Sequence, residues 1–243
     1  MSSLSFPDVT LCHSSDLHIG ADSGSAGSPA DVLSVLRTVL RTAQADRAQL
    51  LILAGDTFDN NRQASQLIEL AACTMSGFDR PIVILPGNHD PLTPDSVYRR
   101  PEFVIAPNVC VLGLTVEDTV FFPELGLEIW GRAHLDYGDM EPLREPPPRS
   151  TSRQIVVAHG HYVRTLHDKE RRRSGSWLIS REDLAATAAN YVALGHWPEA
   201  ECIGGPEISA CYSGAPDVAG SVNIIEFRGE GGVKVRRAPL SLG

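Results

Sequence analysis

Lysine is scarce in this sequence, and acidic residues outnumber basic ones. Only two lysines occur among 243 residues, and 30 Asp and Glu against 21 Lys and Arg give a formal net charge of −9. Nonspecific affinity for nucleic acid comes from neutralising backbone phosphates, so this composition argues against a general polyanion-binding protein. Any recognition of phosphate must therefore be local.

Long apolar runs are absent as well. No segment approaches the roughly 20 consecutive apolar residues that a membrane helix requires, and residues 1–10 have neither a basic start nor an apolar stretch. We expect a soluble, cytoplasmic protein without a membrane partner. Hydrophobic residues make up 42% of the chain and charged residues 21%, which is typical of a globular protein and excludes disorder as the main state.

Cysteine is too irregularly placed for a disulfide framework or a zinc cluster. The cysteines are odd in number, widely spaced and mostly inside apolar runs, so we expect buried, reduced thiols. The five positions are Cys12, Cys73, Cys110, Cys202 and Cys211.

The first half of the chain alternates apolar runs with helical patterns. Runs at 9–12, 50–54 and 81–85 predict strands, a helix is predicted to start at Ser28-Pro29, and a second helix is predicted at 64–75. Strand, helix, strand, helix, strand implies parallel pairing with right-handed crossovers. Ligands of such sheets gather at the carboxyl ends of the strands.

The second half has a different rhythm. Short apolar runs recur between residues 109 and 236, interrupted by one helix at about 180–189. We therefore predict a second, more antiparallel sheet that faces the first, giving an α/β fold of two facing mixed β-sheets flanked by helices. The proline-rich segment 141–153 is either a linker or a surface loop; we favour a loop in a single domain over 1–243, because each half alone would be a poor core.

Polar clusters follow five of the predicted strands. Carboxylate, imidazole and amide oxygen together suit divalent Mn, Fe or Zn better than calcium, which prefers oxygens only. The sequence Gly-Asn-His-Asp arises about once per thousand shuffled chains of this composition, so it is the strongest single signal. The clusters are Asp16-Leu17-His18, Gly55-Asp56-Thr57-Phe58-Asp59, Gly87-Asn88-His89-Asp90, His159-Gly160-His161 and Gly195-His196.

These residues resemble the calcineurin-like metallophosphoesterases and, within them, the SbcD-type subunits of DNA-repair nucleases. The similarity runs in order from about residue 9 to 227 and includes Tyr191-Val-Ala-Leu-Gly-His196 and Tyr212-Ser-Gly-Ala-Pro216. The resemblance implies a four-layer sandwich and a centre of two divalent metal ions, manganese first, with iron or zinc as alternatives.

The same resemblance implies a role for each motif residue. Asp16 and His18 bind one metal, Asp56 bridges both, and Asn88, His159 and His196 bind the second. His89 is then the catalytic histidine, Asp59 orients its imidazole, and Asp90 ties down the loop.

The implied chemistry is hydrolysis of a phosphodiester. Two cations that share a bridging carboxylate lower the pKa of bound water towards about 7, and the resulting hydroxide attacks phosphorus in line. The expected substrate is a phosphoester, with nucleic-acid ends or nucleotides as candidates. A small-molecule phosphoesterase and a catalytically degenerate binding or assembly module are the two alternatives.

The sequence departs from the family pattern in two ways. The family's last motif is Gly-His-x-His, but this chain has Pro198 where the second histidine completes the first metal site. That site is expected to be weak unless Glu199, His161 or water replaces the ligand. The chain also stops at 243, which predicts no separate capping domain and leaves an ATPase partner in question.

Other residues near the motifs have plainer interpretations. His13 is expected to pack behind the site, and His134 could line the pocket. Trp177 and Trp197 could stack a base, although packing is the commoner fate of tryptophan. The basic cluster at Arg171-Arg172-Arg173 is either a phosphate clamp or a solvated loop.

Overall fold

The strands collect into two six-stranded sheets and one two-stranded sheet. The computed structural model describes residues 7–21, 32–164, 177–205, 208–229 and 232–241. The helix start expected at Ser28-Pro29 and the basic cluster at Arg171-Arg172-Arg173 lie outside these residues.

Four parallel strands and an antiparallel hairpin form the first sheet. In chain order these are β1 (Val9–Ser14), β2 (Leu51–Ala54), β3 (Ile82–Leu85), β4 (Val109–Val111), β13 (Ser221–Arg228) and β14 (Gly232–Pro239). The sheet order is β14-β13-β1-β2-β3-β4, with β13 antiparallel to β1 and β14. Every residue of β2 and β3 is buried, as expected for parallel strands covered on both faces.

The second sheet is also mixed. Its strands are β5 (Thr119–Phe122), β6 (Leu127–Gly131), β7 (Arg153–His159), β10 (Tyr191–Gly195), β11 (Glu201–Ile203) and β12 (Ala210–Tyr212). The order is β11-β12-β10-β7-β6-β5, and the three central pairings are parallel while the two outer ones are antiparallel. The small sheet pairs β8 (His161–Tyr162) with β9 (Leu178–Ile179) in parallel.

The expectation of a more antiparallel second sheet is wrong. Both large sheets contain three parallel and two antiparallel pairings. In addition, β4, β13 and β14 from the second half belong to the first sheet. Short apolar runs do not encode their partners, so the change of rhythm in the sequence did not mark a change of sheet. The proline-rich segment connects β6 to β7, which are neighbours in one sheet, so it is a loop rather than a linker.

Helices flank the two sheets. The described α-helices are α1 (Ser34–Ala45), α2 (Ser65–Ser76), α3 (Pro101–Val104), α4 (Arg181–Ala186) and α5 (Pro216–Ala219). Helix α4 begins with a capping box, in which the Ser180 hydroxyl accepts from the Asp183 backbone N–H and the Asp183 carboxylate accepts from Ser180. Within the described residues, no helix is long and apolar enough to cross a bilayer.

Two of the five cysteines form a disulfide, so the expectation of reduced thiols throughout is wrong. Cys202 on β11 lies opposite Cys211 on β12, and their sulfurs are bonded. Strand β11 was not predicted, so the antiparallel pairing that brings these two residues together was missed. Cys12 is buried as expected, but Cys73 is exposed.

The core lies between the two sheets and brings their carboxyl ends together. Ile52 and Ile84 of the first sheet and Ile129, Ile155 and Ala193 of the second belong to one buried apolar cluster. The loops that follow β1, β2, β3, β7 and β10 therefore meet at one edge, which is where the polar motifs of the sequence lie.

Candidate metal centre

Five strand ends deliver the six predicted metal ligands to one place. Asp16 and His18 follow β1, Asp56 follows β2 and Asn88 follows β3. His159 is the last residue of β7, and His196 comes directly after β10. The structure brings all six together in two overlapping clusters.

The first cluster is built around the imidazole of His159. Its Nε2 lies 3.0 Å from Asp56 Oδ2 and 3.0 Å from Asn88 Oδ1. Asn88 Oδ1 is also 3.2 Å from His196 Nδ1. Ligand atoms of Asp56, His159 and His196 thus lie within 4.8 Å of one another.

One ring nitrogen of His159 is already used. Its Nδ1 donates to the Ala54 carbonyl at 2.9 Å, which leaves Nε2 to face the carboxylate and the amide oxygen. This second contact fixes the orientation and tautomer of a metal-binding imidazole. Burial alone lowers the pKa of His159, but attraction to and hydrogen bonding with Asp56 outweigh it and raise this pKa to about 9. Burial opposes ionisation of Asp56, yet His159 holds the pKa of that carboxyl well below its usual range.

The neighbouring His196 is driven the opposite way. Burial, followed by repulsion from His159, lowers the pKa of His196 to about 3, so this imidazole is neutral near pH 7. Its Nδ1 and the Asn88 oxygen face each other, and both carry lone pairs unless the imidazole turns its proton inward. A divalent cation at this point would satisfy lone pairs of imidazole, amide and carboxylate together, and this donor set suits Mn, Fe or Zn.

The second cluster consists of Asp16, His18 and Asp56. Their ligand atoms also lie within 4.8 Å of one another, so Asp56 belongs to both clusters, as a bridging carboxylate requires. Asp16 is almost fully buried, and burial is the main cause that raises its pKa. Both of its oxygens accept from the His196 backbone N–H, at 3.2 and 3.0 Å. His18 Nδ1 is buried without a hydrogen-bond partner among the described residues, as expected for a nitrogen placed to bind an ion.

Backbone strain is concentrated at these ligands. Eight non-glycine residues in the described part of the chain have a positive φ, and four of them are the predicted ligands Asp16 (54°), His18 (45°), Asp56 (50°) and His196 (97°). Such conformations cost about 1–3 kcal/mol each and persist where the surrounding structure enforces them, often at functional sites.

Glycines next to the ligands permit the close approach of the two sheets. A Cβ on Gly195 would lie 1.8 Å from the Ala54 carbonyl oxygen, and one on Gly55 would lie 2.0 Å from His159 Nδ1. A Cβ on Gly87 would lie 2.2 Å from Asp56 Oδ1. The glycine that precedes each ligand in these motifs is therefore required by the packing of the site itself.

His89 stands beside both clusters with its own anchor. Its backbone N–H donates to Asp56 Oδ1 at 2.9 Å, and its side-chain Nδ1 lies 2.9 Å from the backbone carbonyl oxygen of Asp59. The Asp59 carboxylate is farther away, 4.0 Å from His89 Nδ1 and 3.5 Å from His18 Nδ1. The structure thus gives the orienting contact to the carbonyl of Asp59, whereas the family resemblance implied its carboxylate. The catalytic role of His89 stays a prediction.

Asp90 secures the turn that carries Asn88 and His89. Its carboxylate accepts from the backbone N–H of Gly87 at 2.7 Å and of Phe58 at 2.9 Å, and from the Tyr98 hydroxyl at 2.5 Å. Burial, followed by repulsion from Asp56, raises the pKa of Asp90 to about 6. The expected loop-tying contact is therefore present.

The residues considered as substitutes at the first metal site do not join it. Glu199 is exposed, and neither Glu199 nor His161 belongs to a candidate metal-binding group among the described residues. The ring of His161 instead packs against Trp197, at 5.5 Å between centroids. Asp16, His18 and Asp56 are thus the protein donors that the described residues offer there, and the remaining positions are left to solvent or substrate.

Three residues near the site had only weak signals in the sequence. His13 is fully buried and bonds the Tyr191 hydroxyl at 3.0 Å, as the expected packing role requires. His134 is buried with its Nε2 3.0 Å from the His159 carbonyl oxygen. The Trp177 ring lies 5.6 Å from that of His196. These contacts join residues far apart in sequence, so no local pattern could predict them.

Comparisons with known proteins agree with this geometry. The calcineurin-like phosphoesterase family matches residues 9–217, which include every predicted site residue. The chain belongs to that family and is therefore a phosphoester hydrolase by class.

One curated relative and two solved structures extend the comparison. The D subunit of the SbcCD nuclease from Bacillus subtilis (strain 168) is 27% identical over 247 residues, which cover 86% of this chain and 61% of the relative. The chain thus spans less than two thirds of that subunit. TT1561 of Thermus thermophilus has a TM-score of 0.56 at 10% identity, and another crystal structure has 0.57 at 12%; each covers 95% of this chain and 99% of its own. The two structures show the fold alone.

Proposed function

We propose that the protein is a metal-dependent phosphodiesterase that works with two divalent ions, manganese first. The observation that carries the proposal is the meeting of Asn88 Oδ1, Asp56 Oδ2 and His196 Nδ1 around His159, at separations of 3.0 to 3.2 Å. The overlap of the two clusters at Asp56 supports a pair of ions rather than one.

Divalent cations held here would neutralise phosphate charge and acidify water. The chain's own residues supply the remaining functions. The Asp59 carbonyl holds the Nδ1 proton of His89, so Nε2 of the half-exposed ring is left to face a substrate. His89 would stabilise the phosphoryl oxygens or protonate the departing alkoxide.

Unequal sites are the second part of the proposal. His159, His196, Asn88 and Asp56 offer four protein donors to one ion, whereas Asp16, His18 and Asp56 offer three to the other. With Pro198 in place of a histidine, the ion at His18 is expected to bind more weakly.

Nucleic-acid ends or nucleotides are the proposed substrates. Similarity to the D subunit of a nuclease supports this class. The net charge of −9 favours small substrates over long polyanions, because a polyanion needs many phosphate contacts to overcome repulsion. Cytoplasmic location, a role in DNA repair and an ATPase partner stay predictions from the resemblance.

The test combines metal content with turnover. Metal per chain is measured after dialysis against Mn²⁺, and hydrolysis of bis(p-nitrophenyl) phosphate is followed at saturating Mn²⁺. Asp56→Asn is expected to lose metal and turnover together, whereas Asp79→Asn, a change at an exposed carboxylate beside Arg80, serves as the matched control. A parent protein that binds metal but hydrolyses no diester would favour the binding-module alternative.

A further inference from the structure

A cleft that none of the predicted site residues explains opens beside the metal centre. Its volume is about 660 Å³, in the size range of small-molecule sites. It is lined by Gly20, Asp59, Asn60, Arg62, Gln63 and Tyr137. Asp59 belongs to both the cleft and the centre, since its carboxylate lies 3.5 Å from His18 Nδ1. An occupant of this cleft therefore lies next to the reacting phosphate.

One wall of the cleft carries a positive charge that no carboxylate neutralises. Arg62 is exposed, and its guanidinium makes neither a hydrogen bond nor an ion pair with the parts of the chain that the structure describes. The nearby Asp59 carboxylate is instead bonded by Asn60 Nδ2 at 3.0 Å. Arg62 is the only basic residue of the lining, so it is free to bind a phosphate that enters from solvent.

The opposite wall carries an exposed aromatic ring. Tyr137 is 59% exposed, although large aromatic side chains bury much of their area when they have a partner. Its hydroxyl lies 3.4 Å from Asn61 Nδ2. Asn61 is itself buried and fixed, because it donates to the Pro91 carbonyl and accepts from the Val97 N–H. The ring is thus held at one end and open on its face.

The loop that carries Tyr137 is tied to the metal centre. The Trp177 indole N–H donates to the Gly138 carbonyl at 2.9 Å, and the Trp177 backbone N–H donates to the Asp139 carboxylate. The same indole packs against His196. The distance from Tyr137 to the centre is therefore set by fixed contacts.

The floor of the cleft is equally well braced. Gly20 has a φ of 91°, and a Cβ there would lie 2.0 Å from Gln63 Oε1. Gln63 Nε2 in turn donates to the Asn60 carbonyl at 3.2 Å. Preformed walls reduce the ordering cost of binding, which favours a ligand site over a surface irregularity.

We propose that this cleft binds the nucleotide unit next to the scissile phosphate, with its base stacked on Tyr137 and its outer phosphate on Arg62. The inference rests on the proposed phosphodiesterase function and narrows its substrates to nucleotide-containing diesters. One aromatic face and one cation match one base and one phosphate. Stacking on an aromatic side chain is sequence-tolerant, so the cleft discriminates nucleotides from simple esters rather than one base from another.

The test uses two substrates that share a leaving group. Thymidine 5′-(p-nitrophenyl phosphate) and methyl p-nitrophenyl phosphate both release p-nitrophenol, so the ratio of their kcat/KM values isolates the nucleoside. Tyr137→Ala is expected to lower this ratio about 5- to 100-fold, and Tyr137→Phe is expected to retain it. Phe121→Ala, which removes another half-exposed ring on β5, is the matched control.

Binding without turnover provides the second measurement. Fluorescence anisotropy with labelled hexathymidylate in EDTA is expected to show about tenfold weaker binding for Arg62→Gln than for the parent, and no change for Arg80→Gln, an exposed arginine before β3. The parent's affinity is expected to fall with salt more steeply than that of Arg62→Gln.

The two proposals fail in different ways. If neither p-nitrophenyl diester is hydrolysed by the parent, the phosphodiesterase proposal fails, whereas the anisotropy measurement still decides whether the cleft binds nucleotides. If both esters are hydrolysed but Tyr137→Ala and Arg62→Gln match their controls in both assays, the nucleotide cleft is overturned and the phosphodiesterase stands.

Discussion

Replacing Gly195 by alanine tests the contact between the two sheets at the metal centre. The new Cβ would lie 1.8 Å from the Ala54 carbonyl oxygen and 2.8 Å from His159 Nδ1, so β10 and β2 must separate by well over an ångström. Backbone atoms cannot rotate away as a side chain can, which places this substitution at or above the upper end of the overpacking range, about 3 kcal/mol or more. For a chain of this size that corresponds to a fall in Tm of about 6–12 °C.

The assay is urea unfolding in EDTA, followed by metal analysis after reloading with Mn²⁺. Gly77→Ala is the matched control, because Gly77 has a φ of −73° and a Cβ there would make only ordinary contacts at 3.5 Å. That control is expected to be neutral or to stabilise by up to about 1 kcal/mol. If Gly195→Ala unfolds within about 1 kcal/mol of the parent and binds metal normally, the close approach at this point does not hold the centre together.

Three further predictions concern individual side chains. His89→Gln is expected to lower kcat about 10²- to 10⁴-fold with metal content unchanged, and a variant of full kcat would remove His89 from the chemistry. In EDTA, the free energy of unfolding is expected to fall as pH rises from about 6.5 to 9, because His159, with its pKa raised to about 9, stays protonated beside Asp56 only below that range. Urea titrations of Asp56→Asn should lack that component, and equal slopes for both proteins would contradict the ion pair. Asp90→Asn is expected to lower the unfolding free energy by about 1–3 kcal/mol, since one amide oxygen cannot replace both carboxylate oxygens; an unchanged urea midpoint would refute this.

The strands of the first sheet could be predicted because each was an apolar run closed by a polar motif. Strands β1, β2 and β3 formed in parallel as expected, since helical segments separate them. The partners of β13 and β14 could not be predicted, because a strand of the second half can pair with either sheet and only packing of the whole chain decides between them. The Cys202–Cys211 disulfide was missed for the same reason, since it depends on a pairing of β11 that no local pattern announced.

The candidate ligands could be predicted because each lies in a short motif after a strand. The motif Gly87-Asn88-His89-Asp90 carried residue types whose chemistry is specific even without a structure. The division of labour at Asp59 could not be predicted, because a sequence does not distinguish a side-chain contact from a backbone one. The cleft at Arg62 and Tyr137 was also out of reach, since 75 positions of sequence separate its two walls.

Anomalous diffraction from crystals of the Mn²⁺-loaded protein tests the central claim most directly. Two manganese peaks are expected, both within coordination distance of Asp56, the stronger one also touching Asn88, His159 and His196 and the weaker one touching Asp16 and His18. The absence of manganese from these side chains in crystals soaked at millimolar Mn²⁺, or manganese bound only elsewhere on the surface, would contradict the account.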